Sequence, residues 1–582
     1  MRARQKKNHL TYHCFLLMST ARLLLLVSLV LKGNINFLKV NYPPKLALFN
    51  NQNAVYSQVH IMEEQDKSHL LPYARRADFK VGRATELSGR DRRLYRLLEI
   101  IPGALSWTIL VGMIMASIYA PFFAAYFIIA FSIYWVLKTI FLSYHVRYNW
   151  KRLKHHMKID WQVLVRRFNY EHFYHLIIFP YYPEPYEVLE EAVKGLLNAK
   201  YDHKKMIVVL AAEERAGAEA IGYAKRIEEN YGHHFGHFLV TTHPANTPGE
   251  LAGKGSNTHH ALGVVQREVV AKYNIPHKDI ITSIFDVDTV IYPDYFNCLL
   301  WHFLTVADPY KSAFQPVPLF NNNLWEAPAL SRVMAMSSTF WQMIMQERPE
   351  KSATFSSHSV SYQALYEIGY GQANVVSEDS RIYWNLLVAN DGKFDVVPLS
   401  YPISMDATIA PTLWGTIKNI YKQHRRWTYG VENWCYITYH FIKNKKIPLK
   451  RRLSIIALQG EGYSSLVTNP ILLFILGWAP IFLGTREFHE TVLSYELPIM
   501  VRNLLIIAMG GLVVSAIISL SLTPPRPEKY PRFKYLVMVV QWIMVPITMI
   551  VFSALPGLDA QTRLMLGKYM GFWVTPKRVN VK

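Results

Sequence analysis

The chain has 582 residues, too many for one compact core, so roughly two to four folding units are expected. Hydrophobic residues make up 51% and the mean hydropathy is +0.07, which argues against an ordinary soluble enzyme and for membrane spans. The net charge of +21 reads either as the basic flanks of membrane helices or as affinity for anionic headgroups or a phosphorylated substrate; three scattered cysteines, Cys14, Cys298 and Cys435, exclude a disulfide framework and a cysteine metal cluster.

In chain order, residues 1–61 open with basic residues and run apolar from Phe15 to Leu31. This stretch reads as an anchor, a signal or a mis-called start, and no small-residue cleavage site stands out. Met62 is followed by EEQDKSHLLPYARR, which suits a cytoplasmic N-terminus, so translation is expected to start at Met62. Residues 62–100 are then a cytoplasmic segment. Residues 101–145 are nearly uninterrupted apolar sequence broken at Pro121, long enough for a hairpin of two spans at about 20 residues each. Arg90, Arg92, Arg93 and Arg96 precede it and Arg147, Lys151, Arg152 and Lys154 follow, so both flanks are expected in the cytoplasm.

From 146 to 450 nothing is long enough to span. HLIIFP, MIVVLA (Met206–Ala211) and DIITSIF (Asp279–Phe285) read as strands, and Val188–Leu197 has helical periodicity. Alternating strands and helices predict a doubly wound α/β sheet with its site at the carboxyl ends of the strands. Residues 451–556 hold three more apolar segments, near 464–484, 498–521 and 533–555, and residues 557–582 begin with an amphipathic stretch suited to an interface.

Three patterns carry chemistry. FDVDT places Asp286 and Asp288 two apart at the end of a strand, where carboxylate oxygens suit Mg2+ or Mn2+ completed by a diphosphate; an ordinary acidic turn is the bland alternative. VVSEDSR offers Asp379, with Glu378 beside it, as a base for an acceptor hydroxyl; a helix start capped by Ser377 reads the same residues structurally. QHRRW offers Arg426 to a leaving diphosphate and Trp427 to a sugar ring, with Gln423 one turn before; an interfacial helix with a Trp anchor is the alternative.

The order DxD, ED, QxxRW between membrane segments resembles the processive family-two membrane glycosyltransferases, the group of cellulose and hyaluronan synthases, over about residues 100–577. The resemblance implies a nucleotide-sugar-binding catalytic domain of GT-A type, with a mixed sheet, inserted between transmembrane helices. It implies inverting transfer from a nucleotide sugar, expected to be a UDP-sugar, to a growing polysaccharide. FPYYPEP resembles the family's PxYNEP, which gives Tyr182 and Glu184 the nucleotide base, with Pro183 in place of Asn. GKGSN resembles a KAGN-like segment and puts Lys254 near the donor phosphates. FWVTPK matches the FxVTxK gating pattern, so Thr575 and Lys577 would touch the donor. Two segments depart: AAEERAG stands where the family has DDGS, leaving Glu213 or Glu214 to meet the base, and FSSHS replaces the family's acceptor-side segment.

The expected partners are the nucleotide sugar, a glycan or lipid-linked acceptor and membrane lipids, not nucleic acid. The expected place is the plasma membrane, catalytic domain inward. A non-processive transferase acting on a lipid carrier or protein, and a transporter with a soluble domain, are the alternative readings. Three full spans after the catalytic domain would put FWVTPK on the outer side, so gating requires one of them to be re-entrant or interfacial.

Overall fold

The computed structural model describes residues 67–575. The apolar stretch Phe15–Leu31, the expected start at Met62 and the donor-contact candidate Lys577 lie outside the described residues.

Two long helices open the fold, α1 (Gly89–Tyr119) and α2 (Pro121–His156). Both run beyond their apolar stretches into the basic flanks. Pro121 at the first position of α2 sets the break, since it donates no hydrogen bond back into α1.

Eight strands follow: β1 (Tyr174–Tyr181), β2 (Met206–Glu213), β3 (His237–His243), β4 (Ile280–Ile284), β5 (Val290–Ile291), β6 (Ser312–Leu319), β7 (His358–Ser361) and β8 (Asp395–Ser404). They form one sheet ordered β3-β2-β1-β4-β7-β6-β8-β5. Strands β3, β2, β1 and β4 pair in parallel, β7 lies antiparallel between β4 and β6, and β8 returns parallel to β6. This is the expected mixed α/β sheet of GT-A type.

Residues of β1 alternate between the two faces. Leu176 and Ile178 join one apolar cluster, and Ile177, Phe179 and Tyr181 join the other. Strands buried on both faces read as continuous apolar runs, which is why HLIIFP, MIVVLA and IITSI are legible. β7 is different. Its HSVS is fully buried, and its Ser359 hydroxyl is paired across the sheet, Ser283 Oγ lying 2.7 Å from Ser359 Oγ and Tyr295 Oη 3.3 Å from the latter.

The helices that position the site are α3 (Gly217–Tyr231), α4 (Lys254–Val265), α5 (Ala329–Gln346), α6 (Glu378–Ala389), α7 (Leu413–Thr428) and α8 (Glu432–Lys443). After them come α9 (Leu449–Phe474), α10 (Val492–Leu522), a broken helical run over 534–554 and α11 (Leu555–Met565). Among the described residues four helical segments are long and apolar enough to cross a membrane, and five if α9 and Leu476–Leu483, bent by 47°, act as one.

The far end of this bundle is where α1 turns into α2. There Phe122 packs edge-on against Phe488 at 5.3 Å, beside the loop before α10. The near end rests on the sheet domain. Asn321 Nδ2 donates to Leu522 O at the end of α10, and Trp325 Nε1 donates to Pro524 O.

The run 534–554 does not leave that near end. Lys534 Nζ donates to Trp325 O, Arg332 Nε to Gln541 Oε1 at 2.8 Å, and Trp542 stacks on Phe340 of α5. Phe552 closes a cluster with Met334 and Ile420. A 20-residue helix spans about 30 Å, so a segment that touches the sheet domain at both ends cannot also reach the far end. Its exposed stripe, Leu536, Val540, Ile543 and Ile547, follows the spacing of a helix face offered to lipid. Pro546 and a wide turn at Ile550–Ala554 break the ladder. The segment near 533–555 therefore lies along the sheet domain, and α11 and the tail stay on its side. Arg96 of α1 fixes this by donating to Leu564 O at 2.9 Å and to Met565 O.

This side assignment is directly measurable. Gly571 is exposed with open space around its Cβ, as is Gly222 of α3. In a Cys14→Ser background, Gly571→Cys and Gly222→Cys are expected to react with an impermeant maleimide from the same side of sealed vesicles. Labelling from opposite sides would return 534–554 to a full span.

Candidate functional site

The carboxyl ends of β1, β2 and β4 converge on one crevice, into which α4, α6 and α7 bring side chains. Lys254 is its hub. It opens α4, and its Nζ donates to Asp286 Oδ1 and to Asp379 Oδ1, each at 2.7 Å, and to Ser356 Oγ at 3.3 Å. Two of the three sequence motifs thus meet on one ammonium. Burial works against that charge, but Asp286 and Asp379 outweigh it and hold the Lys254 pKa above its ordinary value.

Asp379 sits in the first turn of α6, where the helix dipole favours a carboxylate. The cap is not Ser377, whose side chain makes no capping bond. Glu432, at the start of α8, holds the helix start instead. Its Oε1 accepts from Val376 N at 3.1 Å, Ser377 N at 2.9 Å and Ser377 Oγ at 2.6 Å. Its neighbour Asn433 donates to Ser380 Oγ at 2.8 Å and accepts from the fully buried Arg381. Neither Glu432 nor Arg381 stands out in the sequence, because each acts across 50 or more residues. Glu432→Ala is expected to unpair three donors and to lower stability by about 1–3 kcal/mol, read as a lower midpoint in thermal melting; an unchanged midpoint would deny the clamp.

Glu378 points inward beside the hub and is 8% exposed. Burial, then the Asp379 charge, push its pKa up to about 8, although Lys254 and Arg426 pull it back. Its carboxyl is therefore biased towards the neutral form. Its folded pKa lies above the unfolded glutamate value, so the stability it contributes is full below about pH 4.5 and is lost as pH climbs through about 8. The wild type is expected to lose stability over that window, and Glu378→Gln to lose less. Parallel curves for the two proteins would contradict it.

FSSHS lies in the floor of this crevice. Ser357 Oγ accepts from Asp286 N at 3.3 Å and bonds Thr289 Oγ1 at 2.9 Å. Ser357 holds φ at +63°, a conformation a non-glycine residue adopts at a cost of about 1–3 kcal/mol. The segment supports the backbone at Asp286 and the Thr289 side chain. The sequence signal that could have found it is the pair of small hydroxyl residues Ser356 and Ser357 itself.

Asp288 is buried, and its Oδ2 accepts from Asp406 N at 3.0 Å. Asp286 is the more exposed of the two. Among the described residues no three His, Cys, Asp or Glu side chains form a ready metal cage. Oxygen donors alone, too few to complete a coordination shell, fit a hard cation that takes most of its ligands from a diphosphate and from water.

Arg426 approaches from α7. Its guanidinium lies 4.6 Å over the Phe572 ring, and Phe572 covers Gly253 so closely that a Cβ there would come within 2.6 Å of the ring. Gly253 has φ +154°, which also favours glycine. The FWVT tail thus lies across the hub, and Thr575 is buried. Gln423 accepts from Thr408 Oγ1 at 2.8 Å, inside a narrow cleft. Trp427, 40% exposed, stands at the mouth of that cleft with Phe320 and Asp406.

A second group lies past β1 and β2. Glu184 is buried and takes Tyr182 N at 2.6 Å. Glu213, at the end of β2, pairs with Arg215, whose guanidinium lies over the Tyr182 ring at 4.3 Å. Glu214 turns away and accepts from Ala245 N at 2.8 Å. Of the two glutamates the sequence leaves open, Glu213 is linked to Tyr182 through Arg215 and Glu214 bonds Ala245 N instead.

Residues 281–555 match the family model described as glycosyl transferase family group 2. No sequence among curated proteins matches the chain. Similar solved structures include the mannosyltransferase PcManGT from Pyrobaculum calidifontis in complex with GDP-Man and Mn2+, at 15% identity and TM-score 0.38, covering 76% of this chain and all of that one. TarS residues 1–349 from S. aureus in complex with UDP-GlcNAc is similar at 11% identity and TM-score 0.29, covering 60% of this chain and 91% of that one.

Proposed function

We propose that the chain is a membrane-embedded glycosyltransferase that moves a sugar from a nucleotide-sugar donor to an acceptor by one inverting displacement. The observation that carries this reading is the Lys254 bridge, which places the DxD and ED carboxylates on one cation at the ends of the strands, under the C-terminal tail.

Asp379 takes the proton of the acceptor hydroxyl as that oxygen bonds the anomeric carbon. The bond from that carbon to the phosphate oxygen breaks, and the nucleoside diphosphate leaves with the electron pair. Arg426 and Lys254 offset its charge. Glu378, biased towards its neutral form beside the base, keeps a second negative charge away from Asp379. Asp286 and Asp288 are the residues that would hold Mg2+ or Mn2+, which supplies positive charge to the diphosphate when bound. Tyr182, Glu184 and Glu213 face the base, and Thr575 closes over the donor; a donor contact for Lys577 rests on the FxVTxK resemblance alone. Trp427 at the cleft mouth offers a ring face to the acceptor sugar.

The acceptor is a growing polysaccharide. Single addition to a lipid carrier or protein needs the same donor site and no long channel. The basic ends of α1 and α2 lie with the catalytic domain, which supports a cytoplasmic catalytic side at the plasma membrane. Membranes carrying the protein, given a panel of radiolabelled nucleotide sugars, are expected to incorporate one of them, and the number of sugars per acceptor separates a polymer from a single addition. Incorporation of none would reject the reading.

A further inference from the structure

Arg215 is placed for a task that sugar transfer alone leaves unexplained. It lies two residues past the end of β2, where its Nε donates to Glu213 and its plane covers the Tyr182 ring. Glu213 is 3% exposed, so the guanidinium is pinned by a buried charge on one edge and by a ring on one face. A guanidinium has five N–H donors in a flat fork. Among the described residues its two terminal nitrogens meet no acceptor, and Glu214 does not compete because it is held by Ala245 N.

We propose that Arg215 reads the donor's base and that this base is guanine. The proposal rests on the reading that Tyr182, Glu184 and Glu213 face the nucleotide base. A flat pair of donors matches two acceptors side by side on one edge, and guanine offers O6 and N7 in that arrangement. Uracil does not, because its two carbonyl oxygens are separated by N3–H. Adenine sets a donor, its amino group, next to N7. Cytosine has adjacent acceptors at N3 and O2 but a single donor group. Guanine also has two donors, N1–H and the 2-amino group, and the same group of residues holds two buried acidic side chains, Glu213 on the Arg215 Nε and Glu184 on the Tyr182 backbone. The donor class is a guanosine diphosphate sugar rather than the UDP-sugar expected from the resemblance.

The test is competition binding on the full chain in detergent, with labelled GDP displaced by unlabelled GDP, UDP, CDP or ADP. GDP is expected to bind at least about tenfold more tightly than the other three, the size of one bidentate base contact. Arg215→Lys keeps the charge and loses the fork. It is expected to weaken GDP about tenfold and to leave UDP unchanged. UDP binding as tightly as GDP in the wild type overturns the proposal, whatever the variant does. So does a lysine variant that weakens all four nucleotides equally. If none of the four binds, the donor site itself is absent, and the transferase reading falls together with the guanine preference.

Discussion

Asp379→Asn is expected to lower the transfer rate by about 100- to 10,000-fold while the donor still binds. The amide has nearly the shape of the carboxylate, so the first turn of α6 and the Glu432 clamp stay in place. The amide oxygen can still accept from Lys254, and Lys254 keeps its 2.7 Å partner Asp286. What goes is the proton acceptor. Asp379 is the residue suited to that task because Glu378, next to it, is biased towards the neutral form by burial and by the Asp379 charge itself. The measurement is the pair of nucleotide affinity and single-turnover rate on the purified protein. Equal loss of both would mean that Asp379 serves donor binding. A rate near that of the wild type would remove it as the base.

Lys254→Met is expected to have the largest effect on stability, about 3–5 kcal/mol, because it strips the cation from a buried cluster of carboxylates. The Lys254 side chain is 10% exposed, against 27% for Asp286 and 20% for Asp379. Without the ammonium, two carboxylates that shared one partner face each other and Glu378 in a poorly solvated crevice. The midpoint of thermal unfolding is expected to fall sharply. The double variant Lys254→Met with Asp286→Asn is expected to recover part of the loss, since it removes one of the stranded charges. Additive losses would show that Lys254 supports the fold through its aliphatic stem and not through the bridge. An unchanged midpoint would show that the bridge contributes nothing.

Local patterns are the legible part of this molecule. β1, β2 and β4 announce themselves because strands buried on both faces are runs of Ile, Val and Leu. Asp286, Asp379 and Arg426 can be picked out because motif order survives folding. Lys254 reads in the sequence as a phosphate contact, whereas in the fold it joins the two acidic motifs, a relation no linear spacing contains. β7 is invisible to pattern because HSVS has a single apolar residue, and the Ser359 hydroxyl finds its partner only across strands. Glu432 and Arg381 look like ordinary helix charges until α8 packs on α6. The segment near 533–555 shows the limit of composition. Its apolar face is the same whether it crosses a bilayer or lies on its surface, and only the contacts of Arg332, Phe340 and Trp325 with it reveal which. FWVT reads as a lid by resemblance, and its position over Gly253 and Arg426 depends on that single change of path.

Release of nucleoside diphosphate from a nucleotide sugar by the purified chain tests the central claim most directly. The wild type is expected to release it in the presence of Mg2+ or Mn2+ and a membrane extract as acceptor source, and Asp379→Asn is expected to bind the same nucleotide sugar without releasing it. A folded wild-type protein that binds no nucleotide sugar and releases no diphosphate from any of them would contradict the account.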